Sequence, residues 1–227
     1  MKLTQNTLTL LQNFATIQPN VLLGQESGKL KTIAEAKNIF AVADIKETFD
    51  EEVGIYDLTE LLSAITLIDD PEFTFGSKRI GITSNDGKTQ LKYACANSSI
   101  LTVPQKDITD PDYEVDFTLT VADILAIKKA ASVLGHETFS FIKAADSDQV
   151  VVKVHDIDNS SSNAWESNVG TIASEAEFEF HFMINNLKIV SGSYNVALSS
   201  KLISRWSCAE IPVKYWIAIE HTSSYGA

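Results

Sequence analysis

The sequence predicts an α+β fold built twice, each half a pair of helices covering one face of antiparallel sheet. Three observations carry this expectation. Helical periodicity is scarce, and where it occurs the same start signal recurs at four places. The four starts repeat in order at two related spacings. Most of the remaining chain alternates apolar with polar residues in runs of strand length.

The first start is Leu3, Thr4 and Leu8. Thr4 is a good N-cap, because its hydroxyl can accept from an amide that the first turn leaves unpaired, and Leu3 is spaced to pack on Leu8. The same frame returns as Tyr56, Asp57 and Leu61, as Leu119, Thr120 and Ile124, and as Ile184, Asn185 and Ile189. Glu60 and Asp123 stand three residues after their caps, where a carboxylate complements a helix N-terminus.

The first frame maps onto the third by 116 residues and the second onto the fourth by 128, so the order reads as an internal duplication with 12 residues inserted in the second copy. The polar stretch HDIDNSSSNAWESNVGTIASEAE, residues 155–177, is the expected place for them, as an enlarged surface loop. The expected domains are residues 1–110 and 111–227. The connector, about residues 100–116, is marked by Pro104, Pro111 and four aspartates.

Strands are expected where one face is apolar and the other wet: TQLKYACAN in the first half, then ETFSFIKAA, QVVVKVHDI, AEFEFHFMI, SYNVALSS and VKYWIAIEH in the second. In AEFEFHFMI, Phe178, Phe180 and Phe182 alternate against Glu179 and His181. Antiparallel layers with helices on one side follow from this order.

With 227 residues and 44% hydrophobic composition the chain can build substantial cores. No run of about 18 apolar residues crosses a membrane, and MKLTQNTLTLLQNF breaks its apolar residues with polar ones, unlike a signal peptide, so a cytosolic protein is expected. Cys95 and Cys208 lie in apolar contexts, which suits buried reduced thiols and no metal site.

The net charge is −12, with 10 basic and 16 acidic residues in 1–113 and 8 and 14 in 114–227. An even acidic field excludes a generic basic nucleic-acid surface, so any DNA contact is local. Against that field the pair Lys128 and Lys129 stands out. On a helical wheel Ile124, Ile127, Ala131 and Leu134 form the packed side, and Lys128, Ser132 and Lys129 fall opposite, with Leu125 among them. The first helix shows Thr4, Gln5, Asn6, Thr7, Thr9, Gln12 and Asn13 and no acid, while Lys2 at its entry and Lys188 in the fourth helix add positive charge to the same layer. A helix layer poor in acids suits a protein that surrounds DNA without gripping it, because few phosphate contacts allow sliding.

KLTQNTLTLLQNFATI, VGIYDLTELLSAITLI and FHFMINNLKIVSGSYNVAL together resemble the sliding clamps of T4-type bacteriophages, the processivity factors of the phage DNA polymerase. The resemblance runs through both halves. It implies two domains of the DNA clamp fold per subunit and a closed homotrimeric ring. Twelve short helices would line a hole of roughly 28 Å if each is about 10 Å across.

It also implies double-stranded DNA as the encircled partner, without sequence preference, an ATP-dependent clamp loader, the DNA polymerase docking through a short peptide, and a sigma-like factor for late transcription. The place of action would be the host cytoplasm. Expected DNA-facing residues are Lys2, Lys128, Lys129 and Lys188. Expected walls of the peptide pocket are Ile100, Leu101 and Val103 with Val213 and Tyr215. Family members commonly carry more lysine and arginine on the inner helices than this first helix, with Gln5 and Gln12, offers.

Ordinary core packing explains the pocket residues as well, and Lys188 fits a solvated position. A phage structural or assembly protein would share the β-rich, acidic character. A small hydrolase or transferase has less to stand on: His136, His155, His181 and His221 lack ligand spacing, no nucleophile or nucleotide motif is present, and Glu51-Glu52 and Asp69-Asp70 sit at element ends. No catalytic residue and no cofactor is expected.

Overall fold

The structure is a computed structural model that describes residues 1–173 and 176–226. It divides into two compact units, Met1–Asp107 and Ile108–Ala227. Antiparallel strands dominate both, with few helices.

In the first unit helix α1 (Gln5–Ile17) starts at Thr4, whose hydroxyl accepts from the Thr7 N–H. Leu10, Leu11, Phe14 and Ile17 give it one buried side. Strands β1 (Val21–Leu23), β2 (Lys29–Ile33), β3 (Ile39–Asp44) and β4 (Val53–Ile55) follow, paired β1 with β4 and β2 with β3. Helix α2 (Leu58–Ile65) is capped by Asp57, buries Leu58, Leu61 and Ile65, and packs against α1. Strands β5 (Glu72–Phe75), β6 (Arg79–Thr83) and β7 (Gln90–Ala94) make a meander with β7 at one edge. Met1 joins this layer: its carbonyl accepts from the Phe73 N–H at 2.8 Å and its ammonium donates to the Phe73 carbonyl at 2.7 Å.

The second unit begins with β8 (Val115–Leu119) and α3 (Val121–Leu134). Thr120 and Asp123 form a full capping box, and Gly135 ends the helix in the left-handed conformation that L side chains resist. A five-stranded sheet runs in the order β11 (Trp165–Thr171), β10 (Gln149–Val154), β9 (Thr138–Lys143), β12 (Phe178–Met183), β16 (Ser224–Tyr225). A second layer orders β8, β13 (Tyr194–Ser199), β14 (Ile203–Cys208) and β15 (Val213–Ala218). Alternation in β9 and β12 buries Phe139, Phe141, Phe180 and Phe182; Phe141 meets Phe117 at a ring distance of 4.9 Å, Phe141 and Phe182 each meet Trp206 at 6.0 Å, and Phe139 stacks on Phe182 at 5.2 Å.

Two expectations are corrected here. The stretch 155–177 is only partly a loop, because Trp165–Thr171 forms β11 and pairs along β10; residues 174 and 175 lie outside the described residues. The fourth helix is a single 3-10 turn, Ile184–Asn186, without a side-chain cap. The cause lies downstream. Tyr194 donates its hydroxyl to the Val190 carbonyl at 2.6 Å, and the Val190 N–H donates to the Tyr215 hydroxyl at 3.2 Å. Backbone groups that a helix would pair are taken by two buried phenols. The thiols of Cys95 and Cys208 are free and half-buried.

Candidate DNA-facing helices and docking groove

The helices of the first unit present amides and hydroxyls to solvent. Gln5, Asn6, Gln12 and Thr16 of α1 are exposed, as are Thr59, Ser63 and Thr66 along α2. Glu60 is the one acid of α2, and the Tyr93 hydroxyl reaches its carboxylate at 3.3 Å. A surface of this kind neither repels phosphate strongly nor holds it.

The four expected lysines differ in their surroundings. Lys2 bonds the Asp70 carboxylate at 2.5 Å, an exposed pair that cancels its local charge. Lys129 is exposed on α3. Lys128 does not stand opposite the packed side, as the wheel suggested. It flanks that side, half-buried, and burial holds its ammonium below the ordinary lysine value. Lys188 is exposed, but it follows the 3-10 turn rather than sitting on a helix. The true outer face of α3 carries Leu125 and Val133, 60% and 74% exposed. Beside it lies a groove of about 390 Å³ lined by Ala126, Lys129, Val133, Leu134, Ala164 and Trp165.

The expected peptide pocket divides. Leu101 and Val103 pack with Leu22 and Ala96 in a small apolar cluster. Beside them is a groove of about 490 Å³ that Ile33, Ala34 and the run Leu101–Lys106 line. Side chains of the first unit hold that run: Asn20 accepts from the Thr102 N–H at 2.9 Å, Gln25 donates to the Pro104 carbonyl at 2.9 Å, and Lys31 pairs with Asp107 at 2.7 Å. Ile100 is 62% exposed and does not line the groove. Val213 and Tyr215 are core residues of the second unit, which corrects their assignment to a pocket wall. Strand alternation sends both inward.

A second anchor escaped the sequence reading. Asp110 accepts from Trp216 Nε1 at 2.6 Å, from the Tyr113 hydroxyl at 2.9 Å and from Arg205, whose guanidinium lies 4.7 Å from the Tyr113 ring centroid. Burial pushes the Asp110 carboxyl up, but these donors hold it below its usual value. Only its place in an acidic connector hinted at it.

Two α+β units, the first with two capped helices and the second with one, each beside antiparallel sheets, define the DNA clamp class of fold. Proliferating cell nuclear antigen from A. fulgidus, solved with the C-terminal region of FEN-1 bound, superposes with a TM-score of 0.70 over 96% of both chains at 16% identity. Residues 114–221 match the family described as gp45 sliding clamp, C terminal. The sliding clamp of Vibrio phage KVP40 is 32% identical over 97% of this chain and 99% of its own length, and that of Escherichia phage RB69 is 28% identical over 99% of both. The chain belongs to the sliding-clamp family of T4-type phages.

Proposed function

We propose that three copies of this chain close into a ring around duplex DNA and tether the phage replicative polymerase to its template, in the host cytoplasm. The end-to-end match to phage sliding clamps carries this reading. The ring does no chemistry. Its hold on DNA comes from closure, so release is governed by opening rather than by phosphate contacts, and an ATP-dependent loader opens it. The neutral faces of α1 and α2 support free sliding.

Edge strands β7 and β11 join neighbouring subunits. Both are open within their own sheets, and an open edge is a template for another strand. Their charges complement each other. Residues 76–94 hold Lys78, Arg79, Lys88 and Lys92 against Asp86, whereas residues 144–171 hold Asp146, Asp148, Asp156, Asp158 and Glu166 against Lys153. The exposed Val133 and the groove beside Trp165 put apolar surface next to β11.

The groove along Leu101–Lys106 takes the polymerase peptide, and a sigma-like late-transcription factor competes for it. The apolar part of its lining, Ile33, Ala34, Leu101, Val103 and Pro104, suits the apolar anchors of a short peptide. Light scattering at micromolar concentration tests the ring: three times the 24.9 kDa chain mass is expected. A persistent monomer that no loader places on circular DNA overturns it.

A further inference from the structure

The face of the five-stranded sheet opposite its phenylalanines carries a polar cluster. Ser140 of β9 is the cross-strand partner of His181 on β12 and of Lys153 on β10. Glu179 lies two residues before His181 and His155 two after Lys153, so all of them project from one face. The Ser140 hydroxyl, fully buried, sits 2.8 Å from His155 Nε2 and 2.7 Å from His181 Nδ1. His181 Nε2 is 3.9 Å from Glu179 Oε1. One donor atom from each of His155, Glu179 and His181 lies within 4.8 Å of the others.

We propose that His155, Glu179 and His181 bind one zinc-class divalent ion, with Ser140 as the group that orients the imidazoles. Two imidazoles and a carboxylate with an open fourth position are a donor set that Zn²⁺ and Co²⁺ accept. Tetrahedral donors about 2.1 Å from zinc stand about 3.4 Å apart, so the cluster closes by roughly 1 Å through side-chain rotation. Glu179 has room to rotate, its side chain being 40% exposed.

The hydroxyl of Ser140 has a single proton and cannot serve two imidazole acceptors, so at least one ring donates its N–H to it. In the tautomer with His181 Nδ1–H on Ser140, the Nε2 lone pair faces Glu179. A ring anchored through one nitrogen while the other meets the metal is the usual arrangement around ligating histidines. Lys153, the nearest cation on this face, is turned to Glu166 at 2.8 Å. Sequence spacing hid the site because its donors come from separate strands.

The test is calorimetric titration of the full, EDTA-stripped chain with ZnCl₂, and visible absorption with CoCl₂. One ion per chain is expected, with a tetrahedral cobalt spectrum. His155→Gln and His181→Gln should each weaken binding by about 100-fold, and Ser140→Ala by about tenfold, through lost ring orientation. His136→Gln should leave it unchanged. Because His181 is buried, His155→Gln, half-buried, keeps the test valid if His181→Gln misfolds. Absence of binding to the wild-type chain, equal binding by His155→Gln, or loss of binding in His136→Gln overturns the site.

Discussion

The Thr7 hydroxyl on α1 donates to Glu47 Oε2 at 2.7 Å, while Glu47 Oε1 accepts from the N–H of Thr4, the residue that caps the same helix. A buried carboxylate from 40 residues away thus completes the N-terminus of α1. Glu47→Ala leaves the Thr4 N–H without its acceptor and the Thr7 hydroxyl with only the Thr4 hydroxyl at 2.9 Å, and should cost about 2 kcal/mol, read from urea unfolding; Glu47→Gln, which keeps one acceptor, should cost about half of that. Burial pushes the Glu47 carboxyl up, but the Thr4 and Thr7 donors outweigh it and hold it below the ordinary glutamate value. A carboxyl lowered by folding stabilises above its unfolded pKa, and that stability is lost as pH falls through the lower, folded value. The gap between wild type and Glu47→Gln should therefore be full at pH 6 and narrow steadily below about pH 4.

Gly54 of β4 bridges Ala96 so closely that a Cβ there would stand 2.4 Å from the Ala96 carbonyl oxygen and 3.0 Å from Leu101. The backbone cannot yield without parting the bridge beside the apolar cluster of Leu22, Leu101 and Val103. Gly54→Ala should destabilise the first unit by about 2 kcal/mol, a typical cost of overpacking. Faster amide exchange at Ala96, whose N–H donates to the Gly54 carbonyl, would report the parting. Unchanged exchange would show that the strands shift together.

The caps of α1, α2 and α3 were legible because capping is local: Thr4, Asp57 and Thr120 each bond an amide three residues on. The frame at Asn185 reads the same but failed, since what decides it is distant. Tyr194 and Tyr215 take the backbone of Val190, and no window around residue 185 contains them. Lys128 was misplaced for a gentler reason. The wheel gives its angle, but the width of the buried stripe depends on the sheet that α3 covers. Alternation identified the apolar character of Val213 and Tyr215 but not which of two apolar destinations, core or groove, they occupy. Glu47 gave no sequence signal and Asp110 only its place in an acidic connector, because the decisive partners Thr7, Arg205 and Trp216 are 40 or more residues away.

The proposed pairing of the β7 and β11 edges implies a ring whose stability depends on salt. Lys88→Glu with Lys92→Glu reverses the basic hairpin, and neither lysine lies in a core. The trimer should then dissociate at about tenfold higher protein concentration in low salt, and the difference from wild type should shrink as salt rises to about 0.5 M. Sedimentation across a dilution series reads this directly. Circular dichroism should be unchanged, since the Lys88–Asp86 ion pair that the variant breaks is exposed. A double variant with wild-type dissociation at every salt concentration would place the subunit boundary elsewhere.

Lys128 and Lys129 should separate in function although they are neighbours. Lys129 is exposed on α3, so its charge is available to phosphate. Lys128 is half-buried against the packed side and contributes through its stem as much as through its charge. Lys129→Glu should lower the amount of clamp that a loader places on nicked circular DNA by about fivefold, and the double Lys128→Glu, Lys129→Glu variant by about tenfold, with mass in solution unchanged. Lys128→Met keeps the stem and should load within about twofold of wild type. Because the neutral faces of α1 and α2 add no compensating cations, raising salt should remove the difference between wild type and the Lys129 variant early, near about 0.2 M. Equal loading by the double variant and wild type at low salt would mean that α3 does not face the duplex.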